Sequence, residues 1–347
     1  MVAYHQPPMA QLTPVSEPEI TAFVDAFELG ALRAARGIDA GTVNTSFALE
    51  IGAARFFLRI YEEQDEAGAR REAALLEHLA RHGVPTPSPL PARDGAFVRT
   101  LAGKPAALFP WVEGDMLCQR GVSSDAARRV GEALARVHLA GAPKGHAADP
   151  GRFGPDALVV RCDRVGTSSD LEARALTEDL RMRVAASGAK RKERALPSGL
   201  IHGDLFRDNV LWPRGVGGTA PEKEAFGGTA PETAKGVVDV VLLDFESAHH
   251  GPFVYDIAVT LLSWAYGASL DPTIARAIVD GYQSVRPLAP IEREAFFDEA
   301  ILATLRFTIT RITDDAIRVG KRWQRFVARR EALEALGPRG LGEVLGW

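Results

Sequence analysis

The feature that most constrains the fold of this chain is the segment HGDLFRDN, residues 202–209. It places a histidine, two aspartates, an arginine and an asparagine between two apolar runs, Gly199-Leu200-Ile201 before it and Val210-Leu211-Trp212 after it. Short apolar runs rich in β-formers read as strands, so the polar groups must occupy a loop between two strands of a core. A fold that accepts such a loop must give each buried polar group a partner or a ligand, because an unsatisfied one costs free energy. A further apolar run, GVVDVVLLDFES at 236–247, reads as the next strand and delivers Asp244.

The rest of the 347 residues has room for two domains or one two-lobed domain. Phe47, Leu49 and Ile51 alternate in FALEI, and the β-rich RFFLRIY at 55–61 follows, which predicts an early hairpin. EAGARREAALLEHLARHG, 66–83, carries Glu72, Leu75, Leu76 and Leu79 at helical spacing with Gly83 as a stop, so one carboxylate sits on the apolar stripe. VPTPSPLP at 84–91 is extended and leads to strands around AFVRTL and PAALFPWV. From SSDAARRVGEALARVHLAG onward the pattern is mainly helical, with Ser123 or Ser124 as N-cap and Ala133, Leu134 and Val137 on one face. The order predicts an α+β fold: a small β-rich N-terminal lobe at 21–112, a larger mainly helical lobe at 113–347, a hinge at FPWVEGD (109–115) and a disordered lead at 1–20. GGTAPE occurs at 217–222 and again at 227–232, within a segment (213–236) expected to be a flexible insertion, since lengthening a surface loop costs little. The basic run RMRVAASGAKRKER, 181–194, reads as a solvated helix end or loop.

Composition excludes some classes. A net charge of -4 with 25% charged residues gives no hint of a nucleic-acid or anionic-membrane partner. Cys118 and Cys162 are too few for a disulfide framework and lack metal-ligand spacing, so both are expected as free thiols. Residues 1–19 have prolines at Pro7, Pro8 and Pro14 and no apolar run of a leader peptide, and no segment approaches the ~18 apolar residues of a membrane span, so a cytoplasmic protein is expected.

Asp204 and Asn209 stand in the His-x-Asp-x4-Asn arrangement that kinases use for a catalytic aspartate and a magnesium-binding asparagine. A phosphoryl group leaving ATP carries concentrated negative charge, which Mg²⁺ held by Asn209 and Asp244 would neutralise, while Asp204 would accept or orient the proton of an attacking hydroxyl. Each acid alone could be a turn or cap residue; three spaced across neighbouring strands favour chemistry. His202 is expected as a structural loop residue bonded to backbone, His138 as a satisfied core histidine, and Asp256 in VYDIA as a brace for the loop or an ordinary acid in the first turn of a helix. The N-terminal lobe would then hold ATP. Arg59 lies where kinases present a lysine to the phosphates, with Glu72 as its ion-pair partner; the alternative is an edge-strand arginine and a glutamate paired elsewhere. GIDAGTVNTSF, 37–47, would cover the phosphates, Gly37 and Gly41 allowing close approach and Thr42, Asn44, Thr45 and Ser46 offering hydroxyl and amide groups. Trp111 and Val112 of the hinge would meet the nucleotide.

HGDLFRDNVLW, GIDAGTVNTSF, FFLRIYE, HGVPTP, GKPAALFPWVEG, YDIAVTLLSW and LRFTITRI together resemble the aminoglycoside phosphotransferase and choline kinase superfamily, over roughly residues 25–325. DLFRDNVL is similar to the homoserine kinases of that fold, whereas DFESAHHGPF follows the general superfamily pattern. The resemblance implies a protein-kinase-like fold, ATP and Mg²⁺ as cofactors, and transfer to the side-chain hydroxyl of L-homoserine. An amino-acid acceptor would need a cation for its carboxylate and an anion for its ammonium group. Arg207 and Asp208 lie in the loop, and Arg306 and Arg311 fall where the family has a similar Arg-x4-Arg pair, although either arginine could instead pair with Asp314 or Asp315. The rivals are a kinase of the same fold acting on an aminoglycoside or amino alcohol, and a non-catalytic nucleotide-binding protein, against which the joint presence of Asp204, Asn209 and Asp244 argues.

Overall fold

The computed structural model describes residues 13–38, 44–145, 151–214, 240–314 and 323–347. They fall into two compact units, one drawn from Met1–Asp115 and Pro213–Val241, the other from Met116–Trp212 and Leu242–Trp347. The GGTAPE repeat, Gly41, Thr42 and Asp315 lie outside the described residues.

The first unit opens with α1 (Glu17–Val24), where the sequence pattern had suggested a disordered lead to residue 20. The Glu19 carboxylate accepts the Ser16 N–H at 2.8 Å and its hydroxyl at 2.6 Å, closing the helix start, and Ile20, Phe23 and Val24 are buried. Only two turns long, α1 is held by this packing rather than by intrinsic propensity. It covers a five-stranded antiparallel sheet in the order β1-β2-β3-β5-β4, made of β1 (Leu32–Gly37), β2 (Thr45–Ile51), β3 (Ala54–Ile60), β4 (Arg99–Leu101) and β5 (Lys104–Pro110). Phe47 pairs with Leu58 and Leu49 with Phe56, so the alternation legible in the sequence becomes one buried face packed with Phe23, Phe27 and Leu108. The hairpin between β2 and β3 turns at Gly52, φ 57°. α2 (Glu66–Arg81), capped by Asp65 accepting the Gly68 N–H at 2.7 Å, buries Ala69, Glu72, Leu75, Leu76 and Leu79. The short β6 (Gly114–Asp115) ends the unit's N-terminal portion.

The second unit is mainly helical: α3 (Ser124–Ala140), α4 (Pro155–Gly166), α5 (Leu171–Ala175), α6 (Thr177–Lys192), α7 (Phe253–Trp264), α8 (Pro272–Val285), α9 (Pro290–Thr313) and α10 (Gln324–Leu345), the last interrupted at Gly337 and Pro338. The basic run 181–194 forms the end of α6. It is laced to acids of its neighbours, Arg181 to Asp163, Arg191 to Glu299 and Arg194 to Asp298, rather than simply solvated. Short strands β7 (Ser198–Ile201), β8 (Val210–Pro213), β9 (Val241–Leu242) and β10 (His249–Pro252) frame the loop at 202–209, β7 pairing antiparallel with β10. α7 is buried along nearly its whole length, as its predominantly apolar sequence requires.

α3 and α8 approach each other through glycines. A Cβ on Gly131 would stand 2.1 Å from the Ile278 carbonyl oxygen, and one on Gly281 2.1 Å from that of Arg128. Both contacts are with backbone, so no side chain can swing aside. Gly131→Ala is expected to lose about 1–3 kcal/mol of stability by overpacking, seen as a lower thermal midpoint; an unchanged midpoint would show that the helices separate at no cost.

Candidate active site

The loop at 202–209 leaves β7 through Gly203, whose φ of 75° and whose 2.9 Å approach of a notional Cβ to the Ser247 carbonyl oxygen both demand glycine. Its backbone is held from below by α7. The fully buried Asp256 carboxylate accepts the N–H groups of His202 at 2.7 Å and Gly203 at 2.8 Å, and the ring of His138 on α3 at 3.0 Å. Burial pushes the Asp256 pKa up, but His138 and the Gly203 N–H more than reverse this and hold it below the ordinary carboxylate range. Burial likewise holds the pKa of His138 below its usual value, so the ring is neutral at pH 7. An ionised carboxylate only accepts, so Nε2 carries the proton and Nδ1 accepts from the Tyr282 hydroxyl at 2.7 Å. Arg286 donates to that hydroxyl at 3.2 Å and grips the fully buried Glu292 at 3.0 and 3.2 Å. Asp256 is thus the brace expected, and His138 the satisfied core histidine.

His202 is fully buried, its Nε2 donating to the Leu243 carbonyl at 2.9 Å and its Nδ1 accepting the Asp204 N–H at 3.3 Å, a structural role as anticipated. The Asn209 side-chain amide donates to the Asp204 carbonyl at 2.8 Å, and the Asn209 carbonyl accepts the Leu243 N–H at 2.9 Å. Both ends of the loop are therefore fastened to Leu243, and the next residue, Asp244, turns out of β9 in the left-handed region at φ 61°, ψ 68°. These ties bring Asp204, Asn209 and Asp244 together. Burial raises the Asp204 pKa above the usual aspartate value; the nearby Asp244 charge adds to this, while Arg306 and Arg311 oppose it. Its Oδ1 is buried without a hydrogen-bond partner.

Arg306, expected at a substrate carboxylate, instead lies under the loop at 2% exposure. Its Nη1 donates to the Gly203 carbonyl, its Nη2 lies 3.9 Å from Asp204 Oδ1, and its Cζ is stacked 4.1 Å from the Phe153 ring and 4.4 Å from that of Phe307. α9 runs through the middle of the unit, so a cation there must find its partners inside. The sequence carried a signal for this: an arginine between Leu305 and Phe307, in a stretch from Ala300 to Ile309 with no other charge, must be satisfied by its surroundings. Arg311 is half-buried, 6.0 Å from the Phe206 ring. Asp314 pairs with Arg161 at 2.6 Å and with Arg164, and thus not with Arg306. Arg207, Asp208 and Asn209 form one tight turn, in which Asp208 is exposed and Arg207 half-buried.

Within the first unit, Arg59 Nη1 meets Glu72 Oε1 at 3.0 Å, as expected, and its Cζ lies 5.8 Å from the ring of Phe57 and 5.9 Å from that of Phe109. Glu72 also accepts from Gln64 at 2.8 Å. The side chains of the expected phosphate turn are occupied nearby by a residue the sequence did not single out. Glu62, its side chain only 5% exposed, accepts the Thr45 and Thr13 hydroxyls and pairs with Lys104, while its N–H is donated to Asn44 Oδ1 at 3.2 Å. Ser46 is buried and its carbonyl accepts the Ile38 N–H at 2.9 Å. Trp111 donates its indole N–H to Glu113 at 2.9 Å and is stacked by Arg55 at 4.1 Å, with Val112 half-buried beside it.

A family model for the phosphotransferase enzyme family matches residues 34–220, more than half of the chain. The chain belongs to that family. Among this phosphotransferase's relatives is a homoserine kinase of Caulobacter sp. (strain K31), 36% identical over 318 residues, 88% of this chain and 89% of the relative. Another, the homoserine kinase of Gluconacetobacter diazotrophicus, is 35% identical over 312 residues with 88% and 89% covered. Solved structures with the same fold include an amicoumacin kinase (TM-score 0.66, 12% identical, 93% of this chain and 95% of that one). An aminoglycoside phosphotransferase of Alicyclobacillus acidocaldarius is another (TM-score 0.64, 16% identical, 96% and 98%). The phosphotransferase thus has the protein-kinase-like α+β fold anticipated from its sequence, an antiparallel sheet followed by a mainly helical remainder.

Asp256→Ala is expected to destabilise the protein by about 3–5 kcal/mol, because it strips the partner from two backbone donors and a buried imidazole. Urea denaturation would measure this. Because the Asp256 pKa is depressed on folding, its contribution is complete above the ordinary carboxylate range and is lost only as the pH falls through the lower folded value.

Proposed function

We propose that the protein transfers the γ-phosphate of ATP to the side-chain hydroxyl of L-homoserine. The observation that carries this is that His202 and Asn209 both bond the backbone of Leu243, which sets Asp244 beside Asp204 and Asn209, in a chain whose relatives, matched over most of their length, are homoserine kinases. The related amicoumacin kinase was solved with AMP-PNP and Ca²⁺, which supports a nucleotide and a divalent cation here.

Asp204 orients the acceptor hydroxyl and takes its proton, a role suited to a carboxylate with an uncommitted oxygen. Asn209 and Asp244 would hold Mg²⁺. The donor set fits a hard cation: the Asn209 Nδ2 is committed to the Asp204 carbonyl, which leaves Oδ1, and the mutual repulsion of the Asp204 and Asp244 charges is what a cation between ATP phosphates and protein would relieve. When bound, that ion neutralises charge on the transferring phosphoryl group. Arg59, steadied by Glu72, is assigned to the phosphates. Thr42, Asn44, Thr45 and Ser46 are assigned to covering the phosphates, and Trp111 and Val112 to the base. Arg207, Asp208 and Arg311 border the acceptor, while Arg306 is a brace beneath it. Among the described residues no helix is long and apolar enough to cross a membrane, and we place the enzyme in the cytoplasm.

A coupled ADP-release assay with Mg²⁺-ATP tests this reading. L-homoserine should be preferred over L-serine, choline, ethanolamine and kanamycin, and Asp204→Asn should lower turnover about 10²–10⁴-fold. Preference for another acceptor would keep the kinase chemistry and discard homoserine; equal turnover in the variant would remove Asp204 from the mechanism. Deleting residues 217–232, the repeat, should change turnover little.

A further inference from the structure

Arg207, in the turn after Asp204, has Nε and Nη1 buried without a hydrogen-bond partner. Buried donors are almost always satisfied in folded proteins, so an orphaned guanidinium beside a catalytic loop calls for a ligand. The preceding Phe206 meets Phe326 with ring centroids 6.5 Å apart, which sets the turn against the first half of α10. There Arg329 is 8% exposed, its Cζ 5.1 Å from the ring centres of both Tyr266 and Phe326 and its Nη1 on the Leu262 carbonyl at 2.8 Å. Arg325, one turn earlier on α10, is exposed. Among the described residues, no carboxylate lies within ion-pair distance of any of the three.

The three cations act on one another. Burial, and the charges of Arg325 and Arg207, bring Arg329 down to about 10. A partly buried cluster of positive charge without a counter-ion is costly, and an anion relieves it. The planar fork of arginine suits a carboxylate, which it takes through paired N–H donors. Arg311 is a different cation: its charge falls on Asp204 itself, at the reacting end.

We propose that Arg207, Arg325 and Arg329 form the anion site that holds the α-carboxylate of the acceptor, so that the enzyme selects amino acids over amino alcohols. This rests on the amino-acid acceptor proposed above. The hydroxyl and the carboxylate of one small molecule are then read by the two halves of a single loop, Asp204 at its start and Arg207 near its end. The other source of such an anion is a nucleotide phosphate, which the test separates.

Arg207→Gln and Arg325→Gln are compared with wild type in the ADP-release assay, varying L-homoserine, ATP and 3-aminopropanol, which is homoserine without its carboxylate. Calorimetric titration with L-homoserine is run in parallel. The expected result is a KM for homoserine raised about ten-fold or more, a KM for ATP little changed, and activity on 3-aminopropanol reduced by a much smaller factor. An unchanged KM for homoserine in both variants overturns the inference, as does a raised KM for ATP alone, which would give the cluster to the nucleotide. If wild type releases no ADP with homoserine, the homoserine acceptor falls, and calorimetry decides the cluster by itself. Homoserine binding that weakens in the variants upholds the site, and absent or equal binding removes it. Arg325 is exposed, so its variant reports on the site even if Arg207→Gln folds poorly.

Discussion

The Asp256 carboxylate is the interaction on which the second unit depends. It is buried, ionised and shared by two backbone N–H groups of the loop and one imidazole, so its donors come from α3 and from the residues following β7 at once. A buried charge with good partners is weak as a source of net stability but strong as a constraint, because each partner lost leaves an uncompensated group. Here the constraint fixes where the loop begins. The chain of bonds continues outward through His138, Tyr282, Arg286 and Glu292, and it reaches the start of α9. The close glycine crossing of α3 and α8 keeps His138 and Tyr282 within hydrogen-bond range.

Arginine carries much of the remaining order. Arg306, Arg329 and Arg330 are all buried, and the first two are satisfied chiefly by backbone carbonyls and the faces of aromatic rings rather than by carboxylates. A guanidinium tolerates this better than an ammonium because it is planar, weakly hydrated and able to stack. The result is a protein interior beside the loop at 202–209 that is rich in positive charge, which suits a phosphotransferase.

The antiparallel sheet was legible because Phe47, Leu49 and Ile51 alternate with the small or polar Ser46, Ala48 and Glu50, a pattern that reads as a strand with one buried face. Glu72 was legible as the partner of Arg59 because it interrupts an apolar stripe. The loop from His202 to Asn209 announced itself by its density of polar groups beside strands. The α1 helix did not, since two turns leave too few residues for periodicity to register. Glu62 was missed because a carboxylate just past a strand end looks solvated until Lys104, Thr45 and Thr13, distant in sequence, are seen to close on it. Motif spacing likewise placed an arginine at 306 without showing that it would be buried against the Gly203 carbonyl.

Asp244 has a consequence of its own. It holds a left-handed backbone at φ 61°, a conformation that costs an L-residue roughly 1–2 kcal/mol and a glycine almost nothing. Fold stability and the cation-holding role proposed for Asp244 therefore pull in opposite directions at this one position. A chain without that role would gain stability by exchanging this aspartate for glycine. Under the cation-holding role proposed above, the strain at 244 is kept for the sake of a ligand rather than for the fold.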